Sequence, residues 1–208
     1  QVFGGLSFYQ RKEIKDVLAY LRIIENTNDE ESLRRIINFP PRGIGQTTLD
    51  KLNILSNEHN VSMFEAISII NKSSKLFNQR TTQKLEDFKN LIESFKIFSS
   101  KNNAYETTNL VIHKTRLIDF YRNEGTLESM NRIENIEELL NGVNDFIDQQ
   151  IEIFEGDNSL SKYLQDVALY SETDKDIQSE KVSLMSIHMA KGLELSLIHI
   201  SEPTRQAT

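Results

Sequence analysis

Apolar residues recur at three- and four-residue intervals through most of the first 170 positions, and this periodicity restricts the possible folds more than any other feature. Residues 11–25 place Ile14, Val17, Leu18, Leu21 and Ile24 on one face and charged residues on the other. Such spacing is typical of an amphipathic helix. The pattern predicts a mainly helical chain, with further helices over about 62–71, 78–99, 104–115, 116–123, 129–154 and 159–171.

A proline pair interrupts this pattern early in the chain. The sequence predicts a short helix over Glu30–Phe39, which Pro40 and Pro41 end because proline cannot continue a helix. Residues 42–45 (RGIG) then form a tight turn. Thr47, with Asp50 three residues later, is predicted to be the N-cap of the next helix.

The pattern changes near residue 172. Residues 172–181 (SETDKDIQSE) are polar and acidic, as in a linker, and an almost continuous apolar run follows at 182–187. Such a run is typical of a strand buried on both faces. A single buried strand needs partner strands, and the helices before it provide none. We therefore expect a fragment of a longer protein, as the first residue, Gln1, also suggests.

Composition excludes several classes of protein. The chain has no cysteine, which excludes disulfide frameworks and thiolate metal sites. No apolar run approaches the roughly 20 residues of a membrane helix. A cytoplasmic protein without membrane contact or a metal site is expected. The net charge of −7 argues only weakly against nucleic acid, because basic residues concentrate locally at Arg34, Arg35, Arg42 and Lys51.

The segment Phe39–Leu49 has features of a phosphate-binding turn. Gly43 and Gly45 flank Ile44 and allow the backbone to expose successive N–H groups, which add to the positive end of the following helix dipole near Thr47. Arg42 adds charge beside them. Such a site suits sequence-independent binding of a duplex backbone. The alternative is an ordinary glycine turn between two helices.

A second segment, Ser186–Glu194, follows the predicted strand. A polar loop at the end of a buried parallel strand is where α/β domains bind ligands. His188, Lys191 and Glu194 offer an imidazole, a cation and a carboxylate there. The alternative is a surface loop with a chance Lys-Gly pair.

Three separated segments together resemble a known family. The chain resembles superfamily 1A DNA helicases of the UvrD/PcrA/Rep group, in which three such segments occur in the same order. They are residues 4–22 (GGLSFYQRKEIKDVLAYLR), the GIG turn within Pro41–Leu49, and the segment from Val182 to Glu194 with its AKGLE sequence. Ser186 departs from the threonine usual in that family but keeps a hydroxyl. The resemblance covers about residues 1–195.

The resemblance implies a domain organisation. Residues 1–26 would end the first part of domain 2A, a RecA-like α/β domain of the P-loop NTPase superfamily. Residues 27–178 would form the helical 2B insertion, and residues 179–195 would return to 2A. The helical 2B insertion would thus be flanked by incomplete pieces of the α/β domain. After Leu195 the similarity ends, and residues 196–208 are expected to be a non-native tail.

The resemblance also implies roles for single residues. Duplex DNA would be bound by Arg42, Gly43, Ile44, Gly45 and Thr47. The single-stranded DNA site would include Ser186, His188 and Lys191, and the ATP site would include Gly192 and Glu194. Arg11 and Lys12 would help position DNA or the domain interface.

The implied protein is an ATP-dependent 3′→5′ DNA helicase or translocase in repair or replication restart. It would use ATP and Mg²⁺, bind single- and double-stranded DNA, and work with repair or replication proteins. The chain contains no G-x-x-x-x-GK-[ST] motif and no acidic pair for Mg²⁺, so it is expected to carry no catalytic residue and to be inactive alone. The alternatives are a helicase–nuclease subunit of the RecB/AddA type and a helical DNA-binding or interaction module without motor function.

Overall fold

The computed structural model describes residues 8–70, 76–153 and 156–173, which all lie in one compact unit, Ser7–Asp176. Within these ranges a short 3-10 helix at Phe8–Gln10 precedes nine α-helices, and no strand is present. The helices are α1 Lys12–Glu25, α2 Glu30–Ile36, α3 Gln46–His59, α4 Met63–Ile69, α5 Gln79–Ser99, α6 Ala104–Thr115, α7 Leu117–Glu124, α8 Leu127–Glu152 and α9 Leu160–Thr173. The prediction of a mainly α fold is confirmed.

Helix α1 lies at the centre of this unit. It packs against α2, α5, α6, α8 and α9, and ten of its 14 residues are buried. Tyr20 is completely buried on it, and Phe88 and Phe95 of α5 are buried as well. The resemblance assigned α1 to the end of domain 2A. The domain boundaries at 26 and 178 stay predictions.

Side-chain caps fix the starts of most helices. In each case the capping oxygen accepts a hydrogen bond from a backbone N–H three residues later, which satisfies a donor that has no partner in the helix itself. These caps are Asp29, Ser62, Asn78, Asn103 and Thr126. Because the sequence marks such caps clearly, the observed starts of α2, α4, α5 and α6 lie within one residue of the predicted ones.

Several predicted boundaries were wrong. The helix expected over Glu30–Phe39 ends at Ile36, and the carbonyls of Ile36 and Phe39 accept hydrogen bonds from an arginine side chain in the following loop. Helix α8 begins at Leu127 rather than 129, because Thr126 caps it. Thr47 is not an N-cap: Gly45 occupies that position, and Thr47 lies in the first turn of α3.

No helix in the described ranges is long and apolar enough to cross a membrane. His59 and His113 lie exposed in the last turns of α3 and α6. The strand predicted at 182–187 lies outside the described residues.

Candidate nucleic-acid interface

The loop between α2 and α3 is held by hydrogen bonds to the side chain of one of its own residues. The side-chain oxygen Oδ1 of Asn38 accepts hydrogen bonds from the backbone N–H groups of Arg42 and Ile44, at 2.9 and 3.0 Å. Ile44 is only 1% exposed and anchors the loop in the core. The loop contains a cis peptide bond between Phe39 and Pro40. We call residues 37–45 the GIG loop.

Arg42 points its guanidinium toward the protein, not toward solvent. Its Nη1 donates to the carbonyls of Ile36, Phe39 and Pro40 at 2.9, 3.0 and 3.3 Å. The guanidinium carbon lies 5.4 Å from the ring centroid of Phe88, a cation–π distance. These contacts favour a role for Arg42 in positioning the loop. The DNA contact predicted for its charge stays a prediction.

Tyr20 of α1 completes the arginine's surroundings. Its phenol oxygen accepts from Arg42 Nη2 and donates to the Phe39 carbonyl. Burial raises the pKa of Tyr20 to about 12, although the positive charge of Arg42 acts in the opposite direction. The phenol therefore stays protonated at neutral pH and keeps its donor role.

The two glycines of the loop differ in what they require. Gly43 has φ +71°, a left-handed conformation that residues with a Cβ rarely adopt. Gly45 has φ −89° and ψ 174°, which any residue can adopt, and a Cβ added there would meet nothing within 4 Å. The backbone conformation therefore requires a glycine at position 43 but not at position 45. Space above Gly45 is open to a ligand.

Several backbone donors at this loop are free. Among the described residues, the N–H groups of Gly43, Gly45, Gln46 and Thr47 have no hydrogen-bond partner. Three of them belong to the N-cap and first turn of α3, where the helix dipole is positive. Gly45, Gln46 and Thr47 are exposed. The arrangement can bind an anion through the backbone without reading a base.

Lys84 reaches this loop from α5, and sequence reasoning missed it. Its ammonium donates to the Gly43 carbonyl at 3.0 Å, across 41 positions of sequence. No local pattern predicts such a contact, because a helical lysine on a polar face is typical of any solvated surface. Asn38 was also missed, although an asparagine just after a helix is a known turn signal.

Several of the basic residues that the sequence concentrates around the loop contact other groups of the protein itself. Arg35 forms a 2.7 Å ion pair with the buried Asp16, and Lys51 donates to the Leu76 carbonyl at 3.0 Å. Arg34 donates to the side chain of Asn53. Arg11 and Lys12 likewise lie over the rings of Phe8 and Phe39, respectively.

The second predicted site lies outside the described residues. This applies to Ser186, His188, Lys191, Gly192 and Glu194. In the described part of the chain, no group of three or more His, Cys, Asp or Glu side chains could hold a metal ion.

Comparison with known proteins gives a consistent result. Residues 1–205 match the profile of the UvrD-like helicase C-terminal domain family. The chain is 36% identical over 197 residues to the ATP-dependent DNA helicase PcrA of Staphylococcus aureus, an alignment that covers 95% of this chain and 26% of that protein. It is 34% identical over the same length to PcrA of Staphylococcus epidermidis, with the same shares covered. The chain thus spans 26% of the length of these relatives.

Proposed function

Because the chain belongs to the family of UvrD-like helicase C-terminal domains, we propose that it is part of an ATP-dependent DNA helicase that moves 3′→5′ in DNA repair or replication restart. The names of its PcrA relatives support the helicase activity. The family resemblance of the three sequence segments supports the polarity and the pathway. ATP and Mg²⁺ are the cofactors of the proposed enzyme, and the cytoplasm is its proposed location.

Within that enzyme, the GIG loop and the first turn of α3 bind the phosphate backbone of duplex DNA. The observation that carries this proposal is the row of free N–H groups at Gly43 and Gly45–Thr47 in a loop held rigid by Asn38 and Arg42. A rigid row of donors loses little entropy when it binds an anion. Because phosphates carry no sequence information, binding through them is independent of the DNA sequence, as a translocating enzyme requires.

Single-stranded DNA and ATP contact the segment after the predicted strand. In the proposed enzyme the single strand is bound by Ser186, His188 and Lys191, and the nucleotide is bound by Gly192 and Glu194. The carboxylate of Glu194 accepts a hydrogen bond from the ATP ribose. These assignments rest on the family resemblance.

The duplex proposal is tested by titrating the 208-residue chain into a fluorescently labelled blunt duplex and a single strand of equal length. We expect duplex binding that weakens steeply with salt, because each neutralised phosphate releases counterions. We also expect two unrelated duplex sequences to bind with the same affinity. Binding that differs strongly between the two sequences, or no duplex binding at low salt, would contradict the proposal.

A further inference from the structure

The ammonium of Lys84 occupies the space that a side chain at position 43 would fill. Its Nζ lies 3.0 Å from the Gly43 carbonyl, and a Cβ built on Gly43 would be only 2.3 Å from Nζ. The absence of a Cβ therefore lets the ammonium lie directly against the loop backbone. Gly43 serves two purposes: it adopts the left-handed φ, and it gives room to the cation.

The charge of Lys84 is uncompensated. Among the described residues, no carboxylate forms an ion pair with it, and the Gly43 carbonyl is its one hydrogen-bond partner. Asp87, three positions further along α5, accepts a hydrogen bond from Gln83 at 2.8 Å. An ammonium has three donors, so two remain for another ligand. Lys84 is half-buried, which limits the positions that its ammonium can reach.

We propose that Lys84 is the cation of the duplex site and binds the same DNA phosphate, or the adjacent one, that the free N–H groups of the GIG loop bind. This inference rests on the proposed function and names a residue that neither the sequence motif nor the family resemblance assigns. The guanidinium of Arg42 is directed into the loop's own carbonyls. The charge expected from the motif therefore comes from α5.

The chemistry of lysine fits this role. An ammonium is a compact point charge that binds phosphate without fixed geometry, so it tolerates a backbone that slides past. The backbone N–H groups give direction to the contact, and Lys84 adds the full charge that they lack. Together they resemble in principle the pairing of backbone amides with a lysine in other phosphate sites.

The test compares Lys84→Gln with Lys96→Gln in salt titrations of duplex binding by the 208-residue chain. Lys96 is an exposed lysine on the same helix, twelve positions further on, which is about 18 Å along the axis. Both variants lose one charge. We expect Lys84→Gln to weaken duplex binding roughly threefold to tenfold at low salt and to lower the log–log salt slope by about one unit. Lys96→Gln should have a smaller effect on both the duplex affinity and the salt slope.

Lys84→Arg keeps the charge and should retain the wild-type slope. Thermal unfolding of each variant reports on folding, and affinities are compared at a temperature where every variant is folded. Equal effects of Lys84→Gln and Lys96→Gln would overturn the inference. So would a Lys84→Gln variant with lower thermal stability and wild-type affinity, because that result assigns the lysine to loop stability alone.

Failure of the inference is distinguishable from failure of the proposed function. If a bulky residue at Gly45 abolishes duplex binding while Lys84→Gln has no effect, the duplex site stands and the lysine does not belong to it. If the wild-type chain binds no duplex, both are contradicted.

Discussion

Arg42 Nη2 donates a 2.5 Å hydrogen bond to the phenol oxygen of Tyr20, and this contact ties the GIG loop to the central helix α1. The phenol in turn donates to the Phe39 carbonyl, which also accepts from Arg42 Nη1. Each group in this network is the hydrogen-bond partner of another group in it. The loss of one group therefore leaves a partly buried polar group without a partner. The loop that presents the free N–H groups is thus shaped by the core of the unit.

This network predicts that Arg42 matters first for stability. Arg42→Met keeps most of the aliphatic stem but removes the donors, and we expect it to lower the free energy of unfolding by about 2–4 kcal/mol. Urea denaturation measures the change. Arg34→Met on α2 is the matched control, because its guanidinium is exposed and should cost under about 1 kcal/mol.

The motif-based alternative for Arg42 gives a different result. If its guanidinium binds phosphate, Arg42→Met should lower the salt slope of duplex binding by about one unit in protein that remains folded. A stable Arg42→Met variant with that reduced slope would contradict the positioning role.

Sequence reasoning located the helices well, because apolar periodicity and capping residues are local signals. Helix α5 was expected at 78–99 and spans Gln79–Ser99, with Asn78 as its cap. The GIG loop was recognised from its glycines, but its internal contacts were not. The inward direction of Arg42 depends on Tyr20 and Phe88, which lie 22 and 46 positions away along the chain. The periodicity of apolar residues carries no information about such long-range contacts. It therefore could not predict the contact between Lys84 and the Gly43 carbonyl either.

The buried carboxylate of Asp16 gives a pH-dependent contribution to stability. Burial raises the pKa of Asp16 above its usual 3.8, although the guanidinium of Arg35 beside it acts in the opposite direction. Its Oδ2 atom is buried without a hydrogen-bond partner among the described residues. Because the folded state binds this proton more tightly than the unfolded state, this group stabilises the fold more as the pH falls through the raised pKa. The gain is complete below pH 3.8.

Asp16→Asn cannot titrate and serves as the reference for that effect. We expect the stability of the wild type to increase relative to Asp16→Asn when the pH is lowered from 7 to 4, as measured by urea denaturation at each pH. A relative loss of wild-type stability over this range would show that Asp16 has a lowered pKa when folded.

The chain should not hydrolyse ATP by itself. Its sequence contains no G-x-x-x-x-GK-[ST] phosphate loop, and in P-loop NTPases phosphoryl transfer depends on such a loop and on a bound metal ion. We expect no phosphate release above background from ATP with Mg²⁺ and either form of DNA. Glu194→Ala is the control for a contaminating enzyme. DNA-stimulated release that is present in the wild type and absent in Glu194→Ala would contradict this expectation.

Phosphate is proposed to approach the backbone at Gly45, and the Gly45→Asp variant tests this approach most directly. Aspartate is a better N-cap than glycine and meets no neighbour at this position, so the variant should be as stable as the wild type or more stable. Its carboxylate would lie among the free N–H groups and repel phosphate. Gly45→Asn has nearly the same shape and capping ability without the charge. The measurement is duplex affinity at low salt beside thermal unfolding. The account predicts that Gly45→Asp remains folded and loses duplex binding by tenfold or more, on the order of 1.4 kcal/mol, while Gly45→Asn loses less. A stable Gly45→Asp variant with wild-type duplex affinity would contradict it.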